Sequence, residues 1–319
     1  MNLSLFDLHC DTASVMLAKG QPLAKNDFHV SLENTAGFAQ YIQVMAFFTS
    51  SKLNDEDGWA RFLAMRQNLL ADPSVSSGVA SAVTACPPRR NGTSLFFGIE
   101  DARIFAGKIE RVEEAYRLGV RILTPLWAGE TCMGGSHDTT AGLTGFGKRA
   151  IQKAISLGMI PDISHASVQS ADEIFDLAAA QNRPVIASHS NAADLCPVSR
   201  NLSREQIKKI LSTGGVIGLN LYTKFIKQDG EASIADLIPH IEFFLEKGAE
   251  DALCFGGDWD GATLPPEIKT IRDLSKLTDL LLARNYSEMF IQKLFFENAY
   301  SFANKYLKDK SHSKEDVSL

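Results

Sequence analysis

The chain has 319 residues, 45% hydrophobic and 22% charged, with a net charge of −6, the composition of a globular protein. Acids and bases are interspersed, with no basic run or aromatic–basic stripe, which argues against nucleic acid as a partner. No apolar stretch approaches the roughly 20 residues of a membrane helix, so no membrane contact is expected either.

The opening MNLSLFDLHCDT lacks the basic start and small-residue cleavage site of a secretory signal. Cys10, Cys86, Cys132, Cys196 and Cys254 are odd in number, scattered and without a CxxC pair. They read as reduced thiols in a cytoplasmic protein.

Along the chain, short apolar runs alternate with helix-like stretches. Strands are expected at 4–9, 41–48, 94–100, 120–124, 159–164, 184–189, 215–220 and 252–258. Most show little internal alternation, as in a parallel sheet buried on both faces. Helices are expected at 57–71, 107–118, 145–157, 167–181, 203–212 and 234–247. Ser203 before REQIKKIL is a good N-cap, and Gly119, Gly158 and Gly214 stand just past helix ends.

Eight such alternations favour an α/β fold of the (β/α)8, or TIM, barrel type. An open doubly wound sheet is the alternative, weakened because no glycine-rich dinucleotide fingerprint follows the first strand. Residues 270–307 read as two or three extra helices packed outside the barrel. No linker divides the chain, so 1–307 is expected to form one domain and 308–319 a polar, frayed tail.

In such a barrel the active site lies at the C-terminal ends of the strands. There the first strand ends in His9-Cys10-Asp11 and the third in Glu100. The fifth ends in Asp162-Ile163-Ser164-His165, the sixth in His189 and the eighth in Asp258. A single histidine at a strand end is usually a hydrogen-bonded structural residue, and a single acid there is commonly a helix cap. Three imidazoles and three carboxylates converging on one rim would repel and desolvate badly without a cation. That donor set suits zinc, with manganese or iron as substitutes. Six ligands exceed one zinc site, so two metals are expected, with Glu100 as the shared carboxylate between His9/Asp11/Asp258 and His165/His189. The fourth strand ends ILTP, so a carboxylated lysine is not available there.

These residues resemble the membrane (renal) dipeptidases and their bacterial relatives, zinc-dependent (β/α)8 enzymes, over residues 5 to 302. The likeness rests on DLHCDT, GIEDA, GLTGFGKRAIQKAISLGMIPDISHAS, PVIASHSNAADLCPVSRNLS and FGGDWDGA. The DxSH and SHS…RN pair carries most of the specificity, because HxD alone is a weak signal. The resemblance implies one metal on His9, Asp11, Glu100 and Asp258, and another on Glu100, His165 and His189. It implies that Arg200 holds the substrate's terminal carboxylate, a task suited to a guanidinium fork. It also implies a pocket role for Tyr222, and dimers as a common assembly.

One segment departs from the family. Where relatives carry a fourth-strand His or Asn that contacts the substrate carbonyl, this chain reads LTPLWAGETCMGGSHDTTAGLT. His137, later in that loop, is a candidate replacement, and Trp127 or Glu130 are candidates to shape the pocket. The expected reaction is hydrolysis of a dipeptide amide, including D- or dehydro-residues at the C-terminal position. Its water has a pKa lowered toward about 7 between two zinc ions. Asp258, with Glu100, is the expected catalytic carboxylate, shuttling the proton to the leaving amine. The alternatives are a dinuclear hydrolase of an N-acyl amino acid, lactone or phosphoester, and a catalytically silent metal-binding scaffold.

Overall fold

A computed structural model describes residues 3–308, so the predicted tail, apart from Lys308, lies outside the described residues. Seven parallel strands run in the spatial order β6-β5-β4-β2-β1-β8-β7. They are β1 (Leu5–Cys10), β2 (Gln40–Phe48), β4 (Gly92–Glu100), β5 (Val120–Thr124), β6 (Ile160–Pro161), β7 (Ile217–Leu219) and β8 (Leu253–Phe255). A short β3 (Ala80–Ala82), not foreseen in the sequence, pairs with Thr93–Leu95 of β4, just below the stretch that β5 takes. The fold is thus α/β with a curled parallel sheet.

The sequence predicted eight similar strands; the second half is shorter. Residues 184–189 form no strand and make only isolated bridges, Asp162↔Ile186 and Ala187↔Ile217. Ile186 and Ala187 keep backbone hydrogen bonds to Pro161, Ile163, Val216 and Gly218, and side chains take over just beyond them. The amide of Ser188 donates to Asp162 Oδ1 (2.9 Å), and that of His189 donates to Ser164 Oγ (3.2 Å). Backbone groups satisfied in this way have no need of a strand partner.

The expected helices form with small shifts, as Asp55–Ala71, Glu110–Arg117, Gly145–Leu157, Val168–Ala179, Arg204–Ser212 and Leu237–Glu246. Ser203 and Gln206 complete a capping box, and Gly158 ends its helix at φ 104°. Among the described residues no helix is long and apolar enough to cross a membrane.

The C-terminal helices do more than coat the outside. Phe6, Ile42, Phe96, Ile122 and Ile186, on the inner face of the sheet, pack into one apolar cluster with Phe296, Tyr300 and Phe302. The segment 293–306 therefore closes the end of the sheet where the strands begin. Tyr300 Oη donates to the Pro87 carbonyl at 2.9 Å, tying the segment down. The amphipathic pattern reveals a helix but not which surface it covers.

Candidate active site

Between β1 and β2 the pairing runs Asp7↔Gln43 and then Cys10↔Met45, three residues against two. This bulge turns both Leu8 and His9 inward, Leu8 into the apolar cluster and His9 into the site above it. Cys10 faces away, its thiol 3.2 Å from Met45 Sδ. Asp11 stands at the N-cap of the helix Thr12–Lys19 yet makes no capping hydrogen bond, which leaves its carboxylate for other work.

Glu100, the last residue of β4, shares an inner face with Phe96 by strand alternation. Its Oε2 lies 3.4 Å from His9 Nε2, and its Oε1 lies 3.0 Å from His165 Nε2 and 3.6 Å from His189 Nε2. The donor atoms of His9, Glu100 and His189 cluster within 4.8 Å of one another, as do those of His9, Asp11 and Asp258. All six predicted ligand residues therefore meet at one place, with His9 between the two groups. His9 Nε2 and Asp11 Oδ1 are buried without a hydrogen-bond partner.

The imidazole tautomers are fixed by neighbours. His165 Nδ1 lies 3.0 Å from the Trp127 carbonyl, which can only accept, so that nitrogen carries the proton. Ser188 Oγ donates to the Asp162 carboxylate and must then accept from His189 Nδ1 at 2.7 Å. Both Nε2 atoms are left as lone-pair acceptors, only 3.0 Å apart. Burial, together with Arg200, lowers His165 to about 4, so no second proton relieves the contact at neutral pH. Burial, with His9 and Arg200, also holds His189 well below its usual value. A cation is the partner this pair lacks, and the orphaned Asp11 Oδ1 points the same way. The donor set fits a metal.

Burial raises the Asp11 carboxyl well above its usual range, with Glu100 and Asp258 adding to it. Burial would likewise raise Glu100, but His9 and His165 hold it well below. Burial opposes a charge on His9, yet Glu100, Asp11 and Asp258 raise it to about 10. Asn220 Nδ2 donates to Asp258 Oδ2 at 3.2 Å. His165 and Asp258 hold left-handed backbone at φ 69° and 57°, a costly conformation that collects at functional sites. Gly261 is required nearby, because a Cβ there would collide with the Asp11 carboxylate.

Arg200 is 5% exposed and forms no ion pair among the described residues. Nη1 donates to Ser190 Oγ (3.3 Å) and Nη2 to the His189 carbonyl (3.1 Å), while Nε has no partner. Burial lowers it to about 10, so it stays charged at neutral pH. Arg200, Tyr222 and His137 line the same cavity as the metal-type residues, of about 730 Å³. His137 Nδ1 lies 2.8 Å from Ser199 Oγ, and burial plus Arg200 lowers it to about 4. Trp127 lines the cavity, whereas Glu130 is exposed and does not.

Sequence reasoning gave no role to Asp162, Ser188, Asn220 or Phe48. A polar residue inside an apolar strand end, as in PDISH and GLNLY, was the available signal for the first three.

The profile of the family described as Membrane dipeptidase (Peptidase family M19) matches residues 1–314. The chain belongs to this family. It is a metal-dependent dipeptidase. A Klebsiella pneumoniae relative, described as an uncharacterized protein in the pqqA 5′ region, is 33% identical over 212 residues, 63% of this chain and 77% of its own. Among solved structures, the metallopeptidase dipeptidase AC superposes with a TM-score of 0.89 at 25% identity, covering 97% of this chain and 100% of its own. A Rhodobacter sphaeroides metallopeptidase liganded with a phosphinate mimic of L-Ala-D-Ala superposes at 0.88 with 24% identity, covering 96% and 100%.

Proposed function

We propose that this dipeptidase binds two zinc ions at the mouth of a closed (β/α)8 barrel. It would cleave the amide of dipeptides, including those with a D- or dehydro-residue at the C-terminal position. The observation that carries the reading is the His165–His189 pair, two lone pairs 3.0 Å apart beside the Glu100 carboxylate. Imidazole and carboxylate donors suit zinc, with manganese or iron as substitutes. His9, Asp11, Glu100 and Asp258 would hold one ion, and Glu100, His165 and His189 the other. Glu100 suits the bridge because its two oxygens face different imidazoles. Closure of the barrel through residues 184–189 is supported by their two bridges and by an apolar cluster drawing on Ile186 as well as the strands.

When bound, such ions lower the pKa of water toward about 7 and polarise a carbonyl oxygen. Asp258 takes the proton of the attacking water and passes it to the leaving amine. Asn220 steadies that carboxylate by one oxygen, leaving the other for the proton. Arg200, buried with an unpartnered Nε and no ion pair among the described residues, binds the substrate's terminal carboxylate. His137 and Tyr222 complete the contacts, His137 as a neutral imidazole in the place of the missing fourth-strand residue. The dipeptide mimic bound by the Rhodobacter relative is in keeping with this substrate class. A single domain over 1–307, a cytoplasmic location in keeping with the five free thiols, and a homodimer complete the reading.

The test is metal analysis together with a panel of L,L-, L,D- and dehydro-dipeptides, N-acyl amino acids and lactones. The expected result is about two zinc ions per chain and hydrolysis of free dipeptides. Preference for the N-acyl or lactone substrates would replace the substrate assignment. Undiminished turnover after complete chelation would refute the role of the metal.

A further inference from the structure

The cavity over the site carries aromatic side chains at two places, one beside a buried cation and one without. Its 730 Å³ lies within the range of sites that enclose ligands much larger than a glycyl dipeptide. One end carries the buried Arg200, whose guanidinium lies 5.1 Å over the Phe225 ring, itself packed on Tyr222. The other carries Phe48, Trp127 and Val15, all partly exposed to the cavity. The Phe48 and Trp127 rings pack against each other at 4.9 Å between centroids and an angle of 52°. A paired aromatic surface facing a cavity is apolar area that a ligand can cover.

Strand order sets the distance between the ends. Phe48 ends β2, in register with Glu100 at the end of β4. Arg200 follows the 184–189 segment, which bridges β6 to β7. In the order β6-β5-β4-β2-β1-β8-β7, β2 lies midway, three strands from either. Phe48 is therefore as far from Arg200 around the rim as the sheet allows, with Glu100 and the imidazoles between them. Trp127 follows β5 and stands beside His165, with ring centroids 6.2 Å apart.

We propose that Phe48 and Trp127, with Val15, receive the side chain of the substrate's amino-terminal residue and select a bulky apolar or aromatic group there. This rests on the reading in which Arg200 holds the terminal carboxylate. With that end fixed and the scissile amide over Glu100, the amino-terminal residue is the part that reaches β2 and β5. The expulsion of water from two aromatic faces then favours leucyl or phenylalanyl over glycyl substrates.

The experiment compares kcat/KM for Phe-Ala, Leu-Ala and Gly-Ala, with Ala-Leu and Ala-Gly as the reversed pair, in the parent, Phe48→Ala, Trp127→Ala and Phe48→Leu. The parent should prefer Phe-Ala and Leu-Ala to Gly-Ala by on the order of tenfold or more. Phe48→Ala and Trp127→Ala should collapse that ratio, mainly through KM, and Phe48→Leu should keep most of it. The ratio does not depend on how much enzyme is folded, so a poorly folding variant still reports. Equal rates for all amino-terminal residues in the parent would overturn the proposal. So would variants that slow every dipeptide by one factor, or discrimination that lies only in the reversed pair. If the parent cleaves no dipeptide at all, the dipeptidase reading itself fails, a result plainly different from cleavage without discrimination.

Discussion

Where the strands begin, the inner face of the sheet carries Phe6, Ile42, Phe96 and Ile122, and the C-terminal segment lays Phe296, Tyr300 and Phe302 across them. Where the strands end, the same face carries His9, Glu100 and the candidate metal-holding residues from neighbouring loops. Residues 96 and 100 of β4 point the same way, a few residues apart along one strand, yet one lies in hydrocarbon and the other among ionisable groups. The lower end gains free energy from burial. The upper end loses some, through paired lone pairs, a carboxyl raised by burial at Asp11 and left-handed residues such as His165. Stability and chemistry are thus assigned to opposite ends of one sheet, and substitutions should separate them.

The largest expected effect is at the upper end. His165→Ala or His189→Ala should empty part of the metal site and reduce hydrolysis to background. The metal-free form of either variant should nevertheless unfold no lower than the metal-free parent, because one of two facing lone pairs has gone. Calorimetry of both forms with metal analysis checks this. A large drop in Tm of the metal-free variant would mean that the pair stabilises the fold by itself. At the lower end the pattern reverses. Phe296→Ala should cost about 3–5 kcal/mol in denaturant unfolding while kcat per folded enzyme is unchanged. A fall in kcat without a fall in stability there would break the division between the two ends.

The division was partly legible in the sequence. Ligand-type residues closing apolar runs show where strands end, which is why His9, Glu100, His165, His189 and Asp258 stand out without coordinates. What the sequence hid was carried by backbone departures and by tertiary choice. Alternation alone would put Leu8 and His9 on opposite faces, and only the bulge brings both inward. PVIASH reads as a strand because its composition suits one, and Ile186 and Ala187 do bridge to the neighbours on either side, but Asp162 and Ser164 take the amides of Ser188 and His189, so the ladder stops there. Phe48 ends an apolar run as any core residue would, and nothing in its neighbours shows that the run opens into a cavity. The final helix is readable as a helix, but which surface it covers depends on the shape of the sheet beneath it.

A smaller effect sharpens the comparison from beneath the upper end. Ser188 joins Asp162 to His189 Nδ1 and so fixes which nitrogen faces the cluster of donor atoms around Glu100. Ser188→Ala should weaken metal binding by about 10–100-fold in a chelator competition, in line with losses of such supporting bonds. Ser188→Thr, which keeps the hydroxyl, should recover part of the affinity. An affinity unchanged in Ser188→Ala would show that the ring is oriented by packing alone.

The smallest expected effect concerns a histidine that belongs to neither end. His240, in the helix Leu237–Glu246, accepts from the Ala192 amide at Nδ1 (3.2 Å) and donates from Nε2 to the Ile226 carbonyl (3.0 Å). Only the neutral ring can do both. Burial lowers its pKa below the usual value, against the opposing pull of the Ile226 bond and Asp236. Below about pH 6.5 the unfolded chain therefore binds the proton more readily than the folded one, and stability falls with pH. This contribution is fully present above that pH and fades beneath it. In metal-free protein the gap in Tm between the parent and His240→Gln should be widest near pH 7.5 and narrow toward pH 5. The depressed imidazoles at the mouth titrate in both proteins and cancel from the difference. A gap that stays constant across that range would mean that His240 contributes by packing and not by its protonation state.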